Sequence, residues 1–378
     1  MSNISRKPKA NISFAAINPY AESNIITPKE SKYSGKEYIE WGDGNQYPEY
    51  LQTLYDNVPT LNSIIDGCVD YVAGDGVTIV PLANLPAGKM NVKGDTILEQ
   101  VRSIAGDYFL TGGFALQVIR NGFGDIAEIH YIDMRFLRSN KENTVFYYSE
   151  NWNKGGRRDA IVYPAFMAEL DWSALTDEER NRHASSILFV KKSHKRTYPV
   201  PCYAAAVKAC EIERCVDDFH LNAINNGFTG SYIINFNNGV PDDKTKEEIE
   251  DSFNEKFSGH ENAGRIGFSW NPNKESATTI EKVEVEDFGE KYKSLESNSR
   301  QKIFTAFRAN PNLFGIPTES LGFSQEEYES AFRLFNRTMI RPIQTMIADA
   351  YDKIYGKVGV LTITPFSMEE SATEKEVN

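Results

Sequence analysis

Apolar side chains recur every three or four residues over some stretches of this chain and alternate over others, and the two periods predict helices and strands. Residues 1–37 show neither period; polar and rich in Ser, Asn and Lys, they read as a flexible arm that orders against a neighbour. From Tyr38-Ile39-Glu40-Trp41-Gly42 onward a regular pattern begins. A short helix is predicted after Pro48 and a stronger one after Pro59, where Leu61, Ile64, Ile65, Cys68, Val69 and Val72 repeat at helical spacing and Gly74 stands at the C-terminal cap. A third helix is predicted from Thr96 to Leu110. Gly113 to Arg120 and Ile126 to Ile132, around Asn121-Gly122-Phe123-Gly124, carry the signal of a hairpin. Short strands are predicted at Val145–Tyr148, Ala160–Tyr163 and Ile187–Lys191, so the first half reads as α+β.

The second half has longer helical periods. One helix is expected from Pro201 to Asn225, ending at Gly227. A strand at Ser231–Phe236, an acidic helix near Asp243–Phe257 and a strand at Arg265–Trp270 follow. A long helix is predicted over Val285–Ala309, with Phe288, Tyr292, Leu295, Ile303 and Phe307 on one stripe. After a turn-rich stretch, Ser324-Gln325-Glu326-Glu327 forms a capping box. Tyr328, Phe332, Phe335, Met339, Ile343, Ile347, Tyr351 and Ile354 then mark the last helix, which Pro342 should kink and Gly356 should end. Val360–Thr364 is a closing strand, and residues 367–378 read as a disordered tail. No internal repeat is visible.

Charge narrows the class. With 53 Asp and Glu against 41 Lys and Arg, the formal net charge is −12, unlike a protein that wraps DNA through phosphate contacts. It suits a wall past which a duplex slides, because like charge suppresses lasting attachment. The spacings of Cys68, Cys202, Cys210 and Cys215 do not match a zinc site, and small buried thiols of a reducing compartment are the expectation. No apolar run reaches membrane-span length and Met1–Phe14 lacks the apolar core of a secretory signal, so a soluble chain made in a cytoplasm is expected, with no membrane partner.

Catalytic signals are weak. His130, His183, His194, His220 and His260 form no HExxH motif or close pair, so no metal is expected. No GxxxxGK[ST] loop or GxSxG elbow occurs, and the glycines near Gly112 and Gly122 lack the strand-to-helix setting of a dinucleotide site. Paired carboxylates such as Glu326 with Glu327 and Asp217 with Asp218 sit on polar helical faces. No enzymatic activity and no cofactor are predicted. Lys291, Lys293, Arg300, Lys302 and Arg308 could face phosphates, but Glu286, Glu290 and Glu296 close by favour an ordinary solvated face.

The order of segments carries more than any one of them. Tyr38-Ile39-Glu40-Trp41-Gly42-Asp43-Gly44-Asn45-Gln46-Tyr47-Pro48, the helix ending Asp70-Tyr71-Val72-Ala73-Gly74-Asp75-Gly76, and Gly113-Phe114-Ala115-Leu116-Gln117-Val118 come first. Gly259-His260-Glu261-Asn262-Ala263-Gly264-Arg265 follows, and then Ile303-Phe304-Thr305-Ala306-Phe307 through Asn310-Pro311-Asn312-Leu313-Phe314-Gly315-Ile316-Pro317. In this order the chain resembles the portal proteins of tailed bacteriophages over about residues 38 to 366; Ala309-Asn310-Pro311-Asn312 departs from the Gly-Val-Pro-Pro-like turn of many relatives.

The resemblance implies an α+β portal fold. Residues 38–200 become an α/β wing, 201–227 and 276–309 two stem helices, and 228–275 a small strand-helix-strand clip bearing Tyr232, Ile234, Phe253, Phe257, Arg265 and Phe268. Residues 310–323, with Asn310, Pro311, Asn312, Leu313, Phe314, Gly315, Ile316 and Pro317, become a tunnel loop, and 324–366 a long C-terminal wing or crown helix and strand. It also implies a homo-oligomeric ring, usually of twelve subunits, at one capsid vertex of the virion. Its implied partners are the terminase large subunit, head-completion adaptor proteins, major capsid and scaffold proteins, and double-stranded DNA passing without sequence preference. Two other classes stay open at this point: a different ring-forming head-tail connector, and a soluble hydrolase using scattered carboxylates.

Overall fold

The structure of this chain, a computed structural model, describes residues 25–31, 37–152, 160–225, 232–236, 241–242, 244–246, 266–270, 288–316 and 325–366. The chain divides into two units: Ile25–Glu211 together with Ser297–Asn378, and Ile212–Glu296 grouped with Met1–Asn24.

In the larger unit two proline-started helices come first, α1 (Tyr47–Asn57) and α2 (Pro59–Ala73). Proline in a first turn loses nothing, because that N–H has no helical acceptor. Gly74 ends α2 at φ 60°, where a Cβ would lie 2.0 Å from the Thr364 carbonyl oxygen. Helix α3 (Ile97–Thr111) opens with a complete Thr96/Glu99 capping box and ends at Gly112. Strands β1 (Glu30–Ser31) and β2 (Glu40–Trp41) pair ahead of these helices, and β3 (Gly76–Ile79) leaves α2.

The predicted hairpin is β4 (Gly113–Arg120) with β5 (Ile126–Ile132), and β6 (Leu137–Ser139), β7 (Val145–Tyr148) and β8 (Ile161–Pro164) form an antiparallel meander. A short helix, α4 (Asp177–His183), precedes β9 (Ser185–Lys191), which pairs with the free side of β4 to give the order β5-β4-β9. Leu61, Ile64, Cys68 and Val72 of α2, Val101, Ile104 and Phe109 of α3, and Phe114, Leu116 and Val118 of β4 are buried together. Burial of each such side chain is worth about 1.5–3 kcal/mol.

Two helices link the units in sequence, α5 (Val207–Asn225) and α6 (Phe288–Phe307). In the smaller unit, β10 (Tyr232–Phe236) and β11 (Ile266–Trp270) pair in parallel, Tyr232 opposite Ile266 and Ile234 opposite Phe268. Parallel neighbours need a crossover between them; of the acidic helix predicted there, residues 244–246 are helical and the rest lies outside the described residues. The last helical segment is α7 (Gln325–Phe335), a π turn at Asn336–Ile340, and α8 (Arg341–Tyr355), closed by Gly356 at φ 64°. Strand β12 (Leu361–Thr364) then pairs antiparallel with β3, joining the end of the described chain to its first half.

Several expectations change. The helix predicted from Pro201 starts at Val207, after a 3-10 turn at Ala204–Ala206, because buried Tyr203 donates its hydroxyl to the Leu110 carbonyl at 3.0 Å and fixes the approach. The helix predicted to Ala309 stops at Phe307, and residues 285–287 lie outside the described residues. In the last helix the irregularity lies in the π turn just before Pro342, whose ring would otherwise press on the carbonyl four residues back. Cys202 and Cys215 are exposed, so only Cys68 and Cys210 fit the expectation of buried thiols. Of the stretch expected to be a flexible arm, Glu30–Ser31 instead form β1, held by pairing with β2, and residues 1–24 and 32–36 lie outside the described residues, as do the tail, Ser324 of the capping box and most of the acidic helix.

Buried polar groups stitch the core. Gln100 donates to the Ile129 carbonyl at 2.6 Å and accepts from the Tyr351 hydroxyl at 2.9 Å, while Gln344 donates to the Val72 carbonyl at 3.0 Å. Arg138 is buried between the rings of Trp41 and Trp152 and donates to Asn45, Arg135 and Leu137 oxygens. Desolvation pulls its guanidinium down to about 10, so it stays charged at neutral pH.

Asp107 of α3 accepts from the Tyr131 hydroxyl at 2.8 Å and the Met134 N–H at 3.1 Å. Burial, with the Asp133 charge second, pushes its carboxyl well above the usual carboxylate range. In the unfolded chain it ionises near pH ~3.9, so between that pH and its folded value the folded state alone holds the proton. Stability therefore falls as pH rises through this window. Asp107→Asn keeps the accepting oxygen and removes the titration. Urea unfolding at pH 5 and pH 8 should show the variant losing less stability than the parent between the two; equal losses would exclude Asp107 as the source.

Candidate functional site

The segment expected to be a channel loop starts where α6 ends. Arg308 adopts a left-handed φ of 53°, and two hydrogen bonds close the helix there, Arg308 N–H to the Thr305 carbonyl and Ala309 N–H to the Phe304 carbonyl. Glycine normally fills this position, since any Cβ there is strained by roughly 1 kcal/mol. Asn310 then caps a 3-10 turn, Pro311–Phe314, by accepting from the Asn312 N–H at 3.1 Å, and Gly315 ends it at φ 72°.

This turn is seated in the core of the larger unit. Leu313 is buried, and its carbonyl accepts from the Tyr71 hydroxyl at 2.8 Å. The Phe314 ring lies over α2 at Gly67, where a Cβ would stand 2.7 Å from the ring. Around it sit Phe304 at 6.0 Å, Phe335 at 5.8 Å and Tyr71 at 6.1 Å between ring centroids. Tyr71 in turn contacts Phe332 and Phe366, so one aromatic cluster joins α2, the end of α6, the 3-10 turn, α7 and the residues after β12. Of the residues assigned to a tunnel loop, Leu313 is thus buried and half-buried Phe314 packs on α2, because their apolar and hydrogen-bonding partners are there. Asn310, Pro311, Asn312, Gly315 and Ile316 form the shoulders of the same turn, and Pro317 lies outside the described residues.

The basic candidates do not all share one face of α6: Lys293 and Arg300, seven residues apart, lie nearly in line. Lys293, Lys302 and Arg308 are exposed and Arg300 is half-buried; the Lys291 side chain lies outside the described residues. Lys302 is two residues past Arg300, on the far side of the helix, and Arg308 lies beyond its end. Among the clip candidates, Tyr232, Ile234 and Phe268 hold register positions in β10 and β11, and Phe253, Phe257 and Arg265 lie outside the described residues. Sequence reasoning missed Gly67 and Tyr71. The signal that could have found them was a glycine inside a strongly periodic helix, which often marks close approach of another group.

Among the described residues no group of three His, Cys, Asp or Glu could hold a metal ion, and no helix is long and apolar enough to cross a membrane. An open groove of about 630 Å³ is lined by Lys29, Glu30, Glu40, Asp43 and Arg196, charges of both signs.

The Gly67–Phe314 contact can be tested by a double-mutant cycle. Gly67→Ala alone should destabilise the protein by about 1–2 kcal/mol through overpacking. With Phe314→Ala in place the same change should stabilise it by up to about 1 kcal/mol, because alanine is the better helix former. Chemical denaturation that gives Gly67→Ala the same sign in both backgrounds would show that the ring does not rest there.

Comparison with known proteins agrees with this architecture. The family model described as phage portal protein matches residues 80–363. No curated protein sequence matches the chain. Among solved structures, the chain is similar to one from the neck of a native gene transfer agent particle computed with C12 symmetry, at 17% identity and a TM-score of 0.54, covering 93% of this chain and 89% of that one. A second, from the neck of an empty particle computed with C6 symmetry, shows 16% identity and a TM-score of 0.52 over 95% of this chain and 90% of that one. An HK97-family phage portal protein from Corynebacterium diphtheriae aligns at 11% identity with a TM-score of 0.49, covering 86% of this chain and 96% of that one. The family match extends over most of the chain's length, and this protein belongs to the phage portal protein family.

Proposed function

We propose that this chain assembles into a ring at one vertex of a viral capsid, where it is the channel for DNA packaging and ejection. The same ring would dock the terminase large subunit and later the head-completion adaptors, with capsid and scaffold proteins around it. The carrying observation is the apolar surface left on the two linking helices. Within the smaller unit, Phe219 (48% exposed), Leu221 (58%) and Leu295 (45%) are uncovered although α5 and α6 meet there, Phe219 stacking on Tyr292 at 4.9 Å. Large apolar side chains left open on long helices find cover in identical copies, and in a closed ring that contact repeats around the axis.

The dimensions fit a duplex. Helix α6 has 20 residues, so it is about 30 Å long. Twelve such helices spaced about 10 Å apart give an axis-to-axis diameter near ~38 Å and a lumen of roughly 28 Å, wider than B-form DNA at about 20 Å. A net charge of −12 per subunit gives a dodecamer on the order of −140, which discourages lasting attachment of DNA to the wall. The relatives with C12 and C6 symmetry support a self-associating ring. The strand pair β10–β11 is the part we assign to the clip, and α5 with α6 to the stem.

Negative-stain images and native mass of the purified full chain should show a large ring with a central hole; a compact monomer or dimer under all preparations would sink the reading. Phe219→Glu with Leu295→Glu should raise the concentration for half-assembly at least tenfold, about 1.4 kcal/mol per interface, while the melting temperature of the separated subunit stays within a few degrees.

A further inference from the structure

Among the exposed positions of the last helical segment are three pairs four residues apart: Arg333 with Leu334, Arg337 with Thr338, Arg341 with Pro342. Each pair begins with an arginine, while Phe332, Phe335, Ile340 and Ile343 are buried. In an unbroken α-helix a four-residue repeat drifts by about 40° per step, so the third arginine would sit about 80° away from the first. The π turn at Asn336–Ile340, in which the Arg341 N–H donates to the Asn336 carbonyl, places an extra residue in the turn that the repeat crosses. It compensates that drift and keeps all three arginines on one solvent-facing line.

The charges on this line are not used internally. Arg102, Arg135, Arg180, Arg182 and Arg214 each pair with an acidic side chain. Among the described residues Arg333, Arg337 and Arg341 form no ion pair, and their side chains make one hydrogen bond, from Arg333 Nε to the Glu329 carbonyl at 3.4 Å. In a chain with 53 acidic residues against 41 basic ones, three aligned guanidiniums without carboxylate partners point to an anionic partner outside the subunit.

We propose that Arg333, Arg337 and Arg341 form a contact line for the phosphate backbone of double-stranded DNA. The proposal rests on the portal reading, which brings a duplex to the protein. At 1.5 Å per residue the line is about 12 Å long. Over that axial length one DNA strand presents about three to four phosphates. Guanidinium binds phosphate through paired hydrogen bonds, and a single line of such contacts positions a duplex without reading its sequence.

The test uses the full-length protein, two mixed-sequence duplexes of unrelated sequence, and fluorescence anisotropy over a range of salt. Replacing all three arginines with Gln should make the slope of log affinity against log salt shallower by about 2–3 on both duplexes, at about 0.9 for each phosphate that is no longer neutralised. Replacing them with Lys should preserve most of the slope. A control variant with Lys141, Lys192 and Lys195 changed to Gln removes the same charge elsewhere and should leave it unchanged. The proposal is overturned if the Gln variant keeps the parental slope, if the control variant flattens it as much, or if the parental ring binds neither duplex. It is also overturned if the Gln variant stays folded but no longer assembles, which would make the row a contact between subunits. Images of the same samples separate the two readings: a slope that shifts as expected without any ring would sink the portal reading and leave the contact line standing.

Discussion

The seating of Phe314 on the bare backbone at Gly67 is the constraint around which the larger unit is organised. A helix that leaves the core and returns must bring its end back to a defined place, and the ring in its notch supplies that place. The Tyr71 hydroxyl on the Leu313 carbonyl fixes the turn in register, and the surrounding aromatic side chains give the contact its apolar area. Everything C-terminal to it depends on that register: α7 begins only ten residues after Gly315, and its Phe332 and Phe335 complete the same cluster. A side chain at position 67 would push against a ring that the core cannot readily relocate, so the absence of one carbon atom in α2 decides where the chain re-enters.

Local patterns in the sequence were enough for most of this fold. The helices α1, α2 and α3 and the β4–β5 hairpin were legible because prolines in first turns, a capping box and glycine at the ends mark their limits. Strands β3 and β6 and helix α4 were not, since each is too short to establish a period. The stop at Phe307 was missed because its left-handed residue is Arg308, where the sequence rule expects glycine. The family was legible in the order of its segments. The inward turn of Leu313 and Phe314 was not, because an apolar residue in a loop gives no sign of whether it meets solvent, a pore or a distant helix.

Charge distribution reconciles two properties that pull apart. In the ring we propose, a strongly acidic wall lets DNA move freely, yet a wall with no cationic positions offers it no guidance. Arg180, Arg182 and Arg214 are each neutralised by a neighbour on their own helix, which keeps the general field negative. Positive charge left unneutralised on one line, aligned by a wide helical turn, has an effect only at close range, since salt screens it within about 10 Å. Freedom along the axis and contact at one level are then compatible.

The pairing of β12 with β3 carries a consequence for biosynthesis. Thr364 sits opposite Gly76, so a strand made early waits for one made much later. A growing polypeptide can collapse its amino-terminal helices but cannot close this edge until Leu361–Thr364 has emerged. Any fragment that stops before Leu361 therefore leaves the β3 edge unpaired, an open template to which a strand of another chain can add.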